Sequence, residues 1–476
     1  MHADFSRVTF RPGKHYSAVL AQQGRVQLDA DANEQTAIAL HRERTAVTDL
    51  VGRHGGPAAA PGFLIGYKPG DRVPDDLTIG GGRYYVDGIL LDATRPAPGV
   101  PAETDDGDQD DGEDATVWGY WTQPDGYRDP ERATDRLPDK FPYLVCLKVW
   151  ERAVTAVEDP EIREVALGAA MPDTAARRKV VWQVLPVPGA ELGLTARSKA
   201  TPADVREAFD RWVTERGAPA AWLAARAERP SRADEEPCPT HPEARYRGPE
   251  NQLYRVEVHR GGTADRATFK WSRENGSVTL PVASLDGAWV TLATLGSDDK
   301  LDIDAGDWVE VADAAHESRD ERAPLLRVEE VDLPGRRVRL SAEPAPGTGR
   351  RADRHPFLRR WDHRGSTGRG APRLVEGALA LKDREGIWID LEDGVQVLFR
   401  AGGAYRPGDH WIVPARTATG SVEWPRDTAR RPLLQPPAGI ETHYAPLAWV
   451  RGKAAGGVTD LRQVFAPLAV PVESTT

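Results

Sequence analysis

QLYRVEVHRGGTADRATFKWSRENGSVTLPV, residues 252–282, is the stretch on which the fold turns. From 252 to 259 the side chains alternate. Leu253, Arg255, Glu257 and His259 fall on one side and Tyr254, Val256 and Val258 on the other, the period of two that belongs to a strand. Gly261 and Gly262 supply a turn, 267–273 a second β-prone run, Asn275-Gly276 a second turn and 277–282 a third run. That succession predicts consecutive hairpins.

Working outward, the same pattern returns on both sides. Downstream, DAGDWVEV (304–311), 325–331, 337–340, a hairpin over 387–399 and RPGDHWIV (406–413) repeat a polar turn feeding an apolar or aromatic run. Upstream, 77–79 and 83–91 predict a strand, a turn and a strand, and YLVCLKVW (143–150) and 180–185 predict buried strands. Helix signals are fewer. A helix is expected over 33–50, capped by Asp29 or Asp31, with Ile38, His41, Thr45 and Leu50 towards one side. Thr201-Pro202-Ala203-Asp204 is a strong helix start, carrying the chain through Phe209 and Trp212 to Gly217, and helix is expected to resume over 220–227. The fold class expected is mainly β with minor α: multidomain, with β-sandwich or barrel-like modules behind an N-terminal extended segment and helix. The expected divisions are an anchoring segment and helix at 1–75, a mixed α/β region at 76–247, a β-rich module at 248–345, a basic connector at 346–379 and a C-terminal β-rich module at 380–476.

Composition narrows the function classes. The 476 residues suit roughly three domains at about 150 residues each. Gly 45 and Pro 39 favour many short elements over long helices. Two cysteines cannot build a disulfide framework or a cysteine metal cluster, and Cys146 falls inside an apolar run, where an inert core thiol is expected. A net charge of -11 argues against general duplex binding, which needs concentrated positive charge. No apolar run is long enough for a membrane span, and the charged start MHADFSRVTFRPGK does not resemble a signal peptide, so synthesis in the cytoplasm is expected.

Two phrases carry a resemblance. FRPGKHYSAVLAQQGRVQLDADANEQ (10–35) and the pair GPENQLYRVE (248–257) with FKWSREN (269–275) resemble an uncharacterised family encoded with phage tails and phage-like contractile injection systems. GIETHYAPLA (439–448) is similar to that family's ending. Family members often carry Trp where this chain has Ala32. The resemblance implies a non-enzymatic structural component, a baseplate-associated adaptor or fibre-like attachment protein, assembled into a cytoplasmic or cell-released particle. Its implied partners are other tail or baseplate proteins, with a homo-oligomer, trimeric by analogy, as a further expectation. Phe10, Lys14, Tyr16, Arg25, Leu28, Asn33 and Glu34 are the candidate partner-interface residues. The alternative is a glycan-binding module at the particle surface using Trp361 and Trp411, with a cell-wall hydrolase third.

Catalytic motifs are missing from the sequence. There is no phosphate-binding glycine loop, no Gly-x-Ser-x-Gly elbow and no His-Glu-x-x-His helix. The loop ETDDGDQDDGED (103–114) is acidic at 8 of 12 positions, but Asp111 stands where a calcium loop needs Gly. HPFLRRWDH (355–363) is the best local cluster for a metal or a carbohydrate, and Cys238 with His241 has ligand-like spacing without further ligands. No catalytic residue, metal or cofactor is therefore assigned, and nucleic acid is not expected as a partner.

Overall fold

The computed structural model describes residues 1–70, 72–96, 117–168, 173–228, 245–296, 301–365, 372–454 and 456–469. The acidic loop 103–114, Cys238 and His241 lie outside them. Among the described residues the chain is mainly β, with its strands in six sheets, one closed into a barrel, and an N-terminal helix.

Three sheets share one core in the region built largely from the first half of the chain. They are Val464–Phe465, His54–Pro57, Arg83–Val86 and Ile89–Asp92; then Ile65–Lys68, Asp76–Ile79 and Trp118–Gly119; then Val458–Asp460, Thr442–Val450, Tyr143–Val154 and Arg177–Pro188. The long strand Tyr143–Val154 turns Tyr143, Val145, Leu147 and Val149 into this core. Trp182 meets Phe63 edge to face there, at 5.0 Å between ring centroids. The opposite face, with Leu144 and Cys146, is covered by Phe209 and Val205 of a helix, Pro202–Gly217. Burial pushes the Cys146 thiol up to about 12, consistent with an inert core position.

The region built largely from the second half is a two-layer sandwich with a barrel inserted. Its six-stranded sheet runs in the order Leu374–Val375, Ala378–Ala380, Thr268–Ser272, Gln252–Arg260, His410–Arg416 and Ser421–Val422. The smaller sheet of Ile389–Asp390, Val395–Phe399 and Leu223–Ala227 packs on it through Tyr254, Val256, Phe269, Val397 and Trp411. Thr279–Asp286 leaves the sheet to begin the barrel, closed by Phe357–Trp361 pairing with both Thr279–Asp286 and Trp308–Ala312. Of the two hairpins expected over 252–282 only the first therefore forms as such, while the hairpin expected over 387–399 forms through Ile389–Asp390 and Val395–Phe399.

Two local expectations change. Leu223–Ala227 is a strand where helix was expected, because it pairs with Val395–Phe399 and buries Leu223, Ala225 and Ala227. The first helix is Asp29–Val51, and neither Asp29 nor Asp31 caps it through a side chain. Leu28 occupies the cap position, while the Asp29 carboxylate accepts from the Ser6 amide and hydroxyl.

Two of the expected module boundaries fall within structural units. Residue 345 lies between the barrel strands Arg337–Leu340 and Phe357–Trp361, the expected connector 346–379 contains the strand that closes the barrel, and residue 380 ends the strand Ala378–Ala380. Thr442–Val450 pairs along Tyr143–Val154, so the C-terminal segment completes sheets begun near the N-terminus.

Candidate functional site

The sequence phrase 248–275 builds a buried charge cluster between the six-stranded sheet and the barrel. On the strand Gln252–Arg260 the face carrying Arg255 and Glu257 points away from the sandwich core, yet both side chains are 1% exposed, since the barrel wall lies over them. Lys270 from the neighbouring strand is equally buried. The barrel contributes Glu310, Arg359 and Trp361, the short helix Ala314–Arg319 contributes Glu317, and the chain's beginning contributes His2.

The contacts are dense. Arg255 Nε donates to Glu257 Oε2 at 2.6 Å, and His2 Nε2 lies 3.1 Å from the same oxygen. Lys270 Nζ lies 3.4 Å from Glu257, bonds Glu310, and stands 4.0 Å from the centre of the Trp361 ring. The Trp361 indole N–H donates to Glu310 Oε2 at 2.9 Å. Arg359 donates to Glu317 at 2.7 Å. Asn275 donates to the Ala3 carbonyl at 2.8 Å, holding the first residues against the sheet. Gly276, at φ +67°, passes so close to His2 that a Cβ there would stand 2.9 Å from its ring.

The electrostatics follow from this arrangement. Burial alone would raise the Glu257 carboxyl, but Arg255 and Lys270 hold it well below the ordinary carboxylate range. Against the same burial, Arg359 and His2 hold Glu317 low, and Lys270 and His259 lower Glu310. Burial, reinforced by Arg255 and Arg359, brings His2 down to about 4, so it sits as the neutral imidazole at neutral pH. The adjoining cavity, lined by His2, Glu158, Gly276 and Arg359, is about 10 Å³, below or at the size of one water.

The other expected site residues are placed differently. Phe10 is half-buried against the His41 ring, at 5.6 Å, and Glu34 accepts from the Thr9 hydroxyl at 2.5 Å. Lys14, Tyr16, Arg25, Leu28 and Asn33 are exposed. Between residues 11 and 29 only Val19 is more than lightly covered; Tyr16 is 58%, Leu20 82% and Val26 83% exposed. This arm returns to the protein through Ser6–Asp29, Thr9–Glu34 and the Val19 amide, which donates to Gln35 at 2.7 Å.

Trp361 and Trp411 are each 1% exposed. Their indole N–H groups donate to Glu310 and to the Gln435 carbonyl, so neither ring has a face open to a glycan. His363 is buried with Nε2 2.7 Å from the Gly377 carbonyl, while His355 ends a 3₁₀ turn in the left-handed conformation. Among the described residues no group of three or more His, Cys, Asp or Glu is arranged for a metal ion. No helix among them is long and apolar enough to cross a membrane. His443, beside Tyr444 on a packed strand, is 2.9 Å from Asp87.

A family model matches residues 1–214 and 211–458, nearly the whole chain. The chain belongs to DUF6519, a family of unknown function. No curated protein and no solved structure matches it. Within this DUF6519 chain the two phrases singled out in the sequence have opposite fates. The phrase 248–275 supplies Arg255, Glu257, Lys270 and Asn275 to the buried cluster, and 10–35 forms the exposed arm and the start of the first helix. The cluster itself was missed from sequence. Its only local signal was charge set at regular alternation inside an otherwise apolar strand.

Proposed function

We propose that this protein is a structural component of a phage tail or phage-like contractile injection particle, a baseplate-associated adaptor or fibre-like attachment protein whose arm docks on a neighbouring subunit. The observation that carries the reading is the exposed arm. Tyr16, Leu20, Val26 and Leu28 each expose more than half their surface on a segment with few ties to the body. Apolar side chains presented on an extended segment mark an interaction surface, since they gain by burial against a partner. The particle is suggested by the resemblance of 10–35 and 248–275 to tail-associated sequences, and a rigid multi-sheet body suits an adaptor. None of the 14 Trp in the chain is exposed, which favours docking over glycan reading.

Deleting residues 12–27 from the gene in its native host tests the proposal. The expected result is a folded protein that no longer co-purifies with particles, together with particles lacking their baseplate or fibres. Intact particles that have lost only adsorption to cells would instead support the glycan reader, and normal assembly and adsorption with lost wall degradation would sink both.

A further inference from the structure

A second, open cavity of about 330 Å³ lies where the strand Tyr143–Val154, the 3₁₀ turn Ala133–Asp135 and the end of the helix Ala314–Arg319 meet. Its walls carry four cationic side chains, Arg128, Arg132, Lys148 and Arg319, against two carboxylates, Asp135 and Glu321. Both carboxylates are already engaged. Arg319 donates to each Asp135 oxygen at 2.8 Å and to Glu321 at 2.8 Å, and Arg132 donates to Glu321 at 3.1 Å. Four positive groups against two negative leave the cavity wall with a net excess of two positive charges.

The excess centres on Lys148 and on Arg128, whose Nη1 lies 3.5 Å from Asp135 and shares that carboxylate with Arg319. Among the described residues no carboxylate pairs with Lys148, whose ammonium group stands 4.4 Å from the centre of the Trp150 ring. Burial lowers its pKa, with Arg128 adding to the effect and Asp320 opposing it. The Arg128 side chain is 10% exposed, and its Nε is buried without a hydrogen-bond partner, although Nη2 donates to Gln183 at 3.2 Å. A desolvated ammonium without a carboxylate partner, beside a guanidinium that shares its carboxylate with Arg319, makes a donor pair suited to a tetrahedral oxyanion.

We propose that this cavity binds a small doubly charged oxyanion of the phosphate class, inorganic phosphate or the phosphate of a small ester, held by Lys148 and Arg128 with Arg132 at the exposed edge. The site is independent of the docking arm. An anion there would also tie the two halves of the molecule, since Arg128, Arg132 and Lys148 come from one and Arg319 from the other.

The test titrates the full chain with sodium phosphate and with glycerol 3-phosphate, against sodium chloride at matched ionic strength, following binding heat and unfolding temperature. Saturable binding and a rise in unfolding temperature are expected with at least one of the two, the tighter naming the source. Lys148→Gln is expected to weaken it about tenfold, the loss of one charge-assisted contact. Arg132→Ala, at the exposed edge and safe for folding, is expected to weaken it by a smaller factor. Without phosphate, Lys148→Gln should unfold no lower than the unaltered chain, because it removes a desolvated charge. A response no greater than that to chloride, or an equal response from all three proteins, overturns the proposal.

Discussion

Lys270 holds together two carboxylates that would otherwise face each other in a dry interior. Its ammonium group serves Glu257, Glu310 and the Trp361 ring at once. Replacing it by Met leaves both acids with less than they need, and breaking a buried pair from one side costs about 3–5 kcal/mol. Lys270→Met is therefore expected to lower the urea midpoint strongly, and Lys270→Met with Glu310→Gln to recover part of the loss. A single variant as stable as the unaltered chain would show that the cluster is not what joins the barrel to the sheet. His2 gives the cluster its pH dependence. Buried beside Arg255 and Arg359 and facing Glu257 and Glu317, it is neutral in the fold with a pKa of about 4 against 6.5 unfolded. A group with a lowered folded pKa contributes its stability fully above the unfolded value and loses it as pH falls towards the folded one. Stability is thus expected to decline from pH 6.5 downward, by about 1.4 kcal/mol for each unit of separation. His259 and His363, both also near 4, add to the slope. His2→Gln should flatten that slope between pH 6.5 and 4.5, and an unchanged slope in urea titrations would remove His2 from the account.

Elements differ in how much of them a sequence can reveal, and the helix Pro202–Gly217 marks the favourable end. Thr201 and Asp204 form a reciprocal capping box, with the Thr201 amide donating to Asp204 at 2.8 Å, and every part of that device lies within four residues. Thr201→Ala is expected to cost about 1 kcal/mol, read as a lowered urea midpoint with unchanged far-UV signal at pH 7. No change would mean that Val205 and Phe209, buried against the strand Thr442–Val450, hold the helix unaided. The segment 220–227 marks the other end. Its alanines favour helix, but its partner Val395–Phe399 lies about 170 residues away, and pairing with a sheet overrides local preference. The first helix sits between these cases. Its existence was legible, yet its cap went to Leu28, because the Asp29 carboxylate is spent on Ser6. The arm before it was visible as a phrase whose exposure no local pattern encodes. The charge cluster was hardest, because Arg255, Lys270, Glu310 and Arg359 span a hundred residues. Strand alternation tells which side a charge takes, not whether water or a barrel lies there.

At the scale of the whole molecule the β modules are tied together by segments far apart in the chain. The strand Tyr143–Val154 has its partner in Thr442–Val450, His54–Pro57 pairs in parallel with Val464–Phe465, and His2 reaches into the sheet of Gln252–Arg260. These contacts join chain segments 255 or more residues apart, and the core around Tyr143, Val145 and Leu447 closes only with the C-terminal segment in place. The Arg319–Asp135 bridge and the donation from Gln183 to the Ser318 carbonyl at 2.8 Å add polar ties across the same junction. The two halves are therefore joined by paired strands as well as by side chains. The corresponding prediction concerns two fragments, 1–247 and 248–476. Produced separately, each is expected to lack a fixed near-UV signal, the first because the edge of Tyr143–Val154 and the apolar face beneath it are uncovered. Produced together, they are expected to associate and regain that signal, eluting at the size of the intact chain. Two fragments that fold alone, cooperatively and without affinity for each other, would mean that the pairing of Thr442–Val450 with Tyr143–Val154 contributes little, and that the molecule is modular after all.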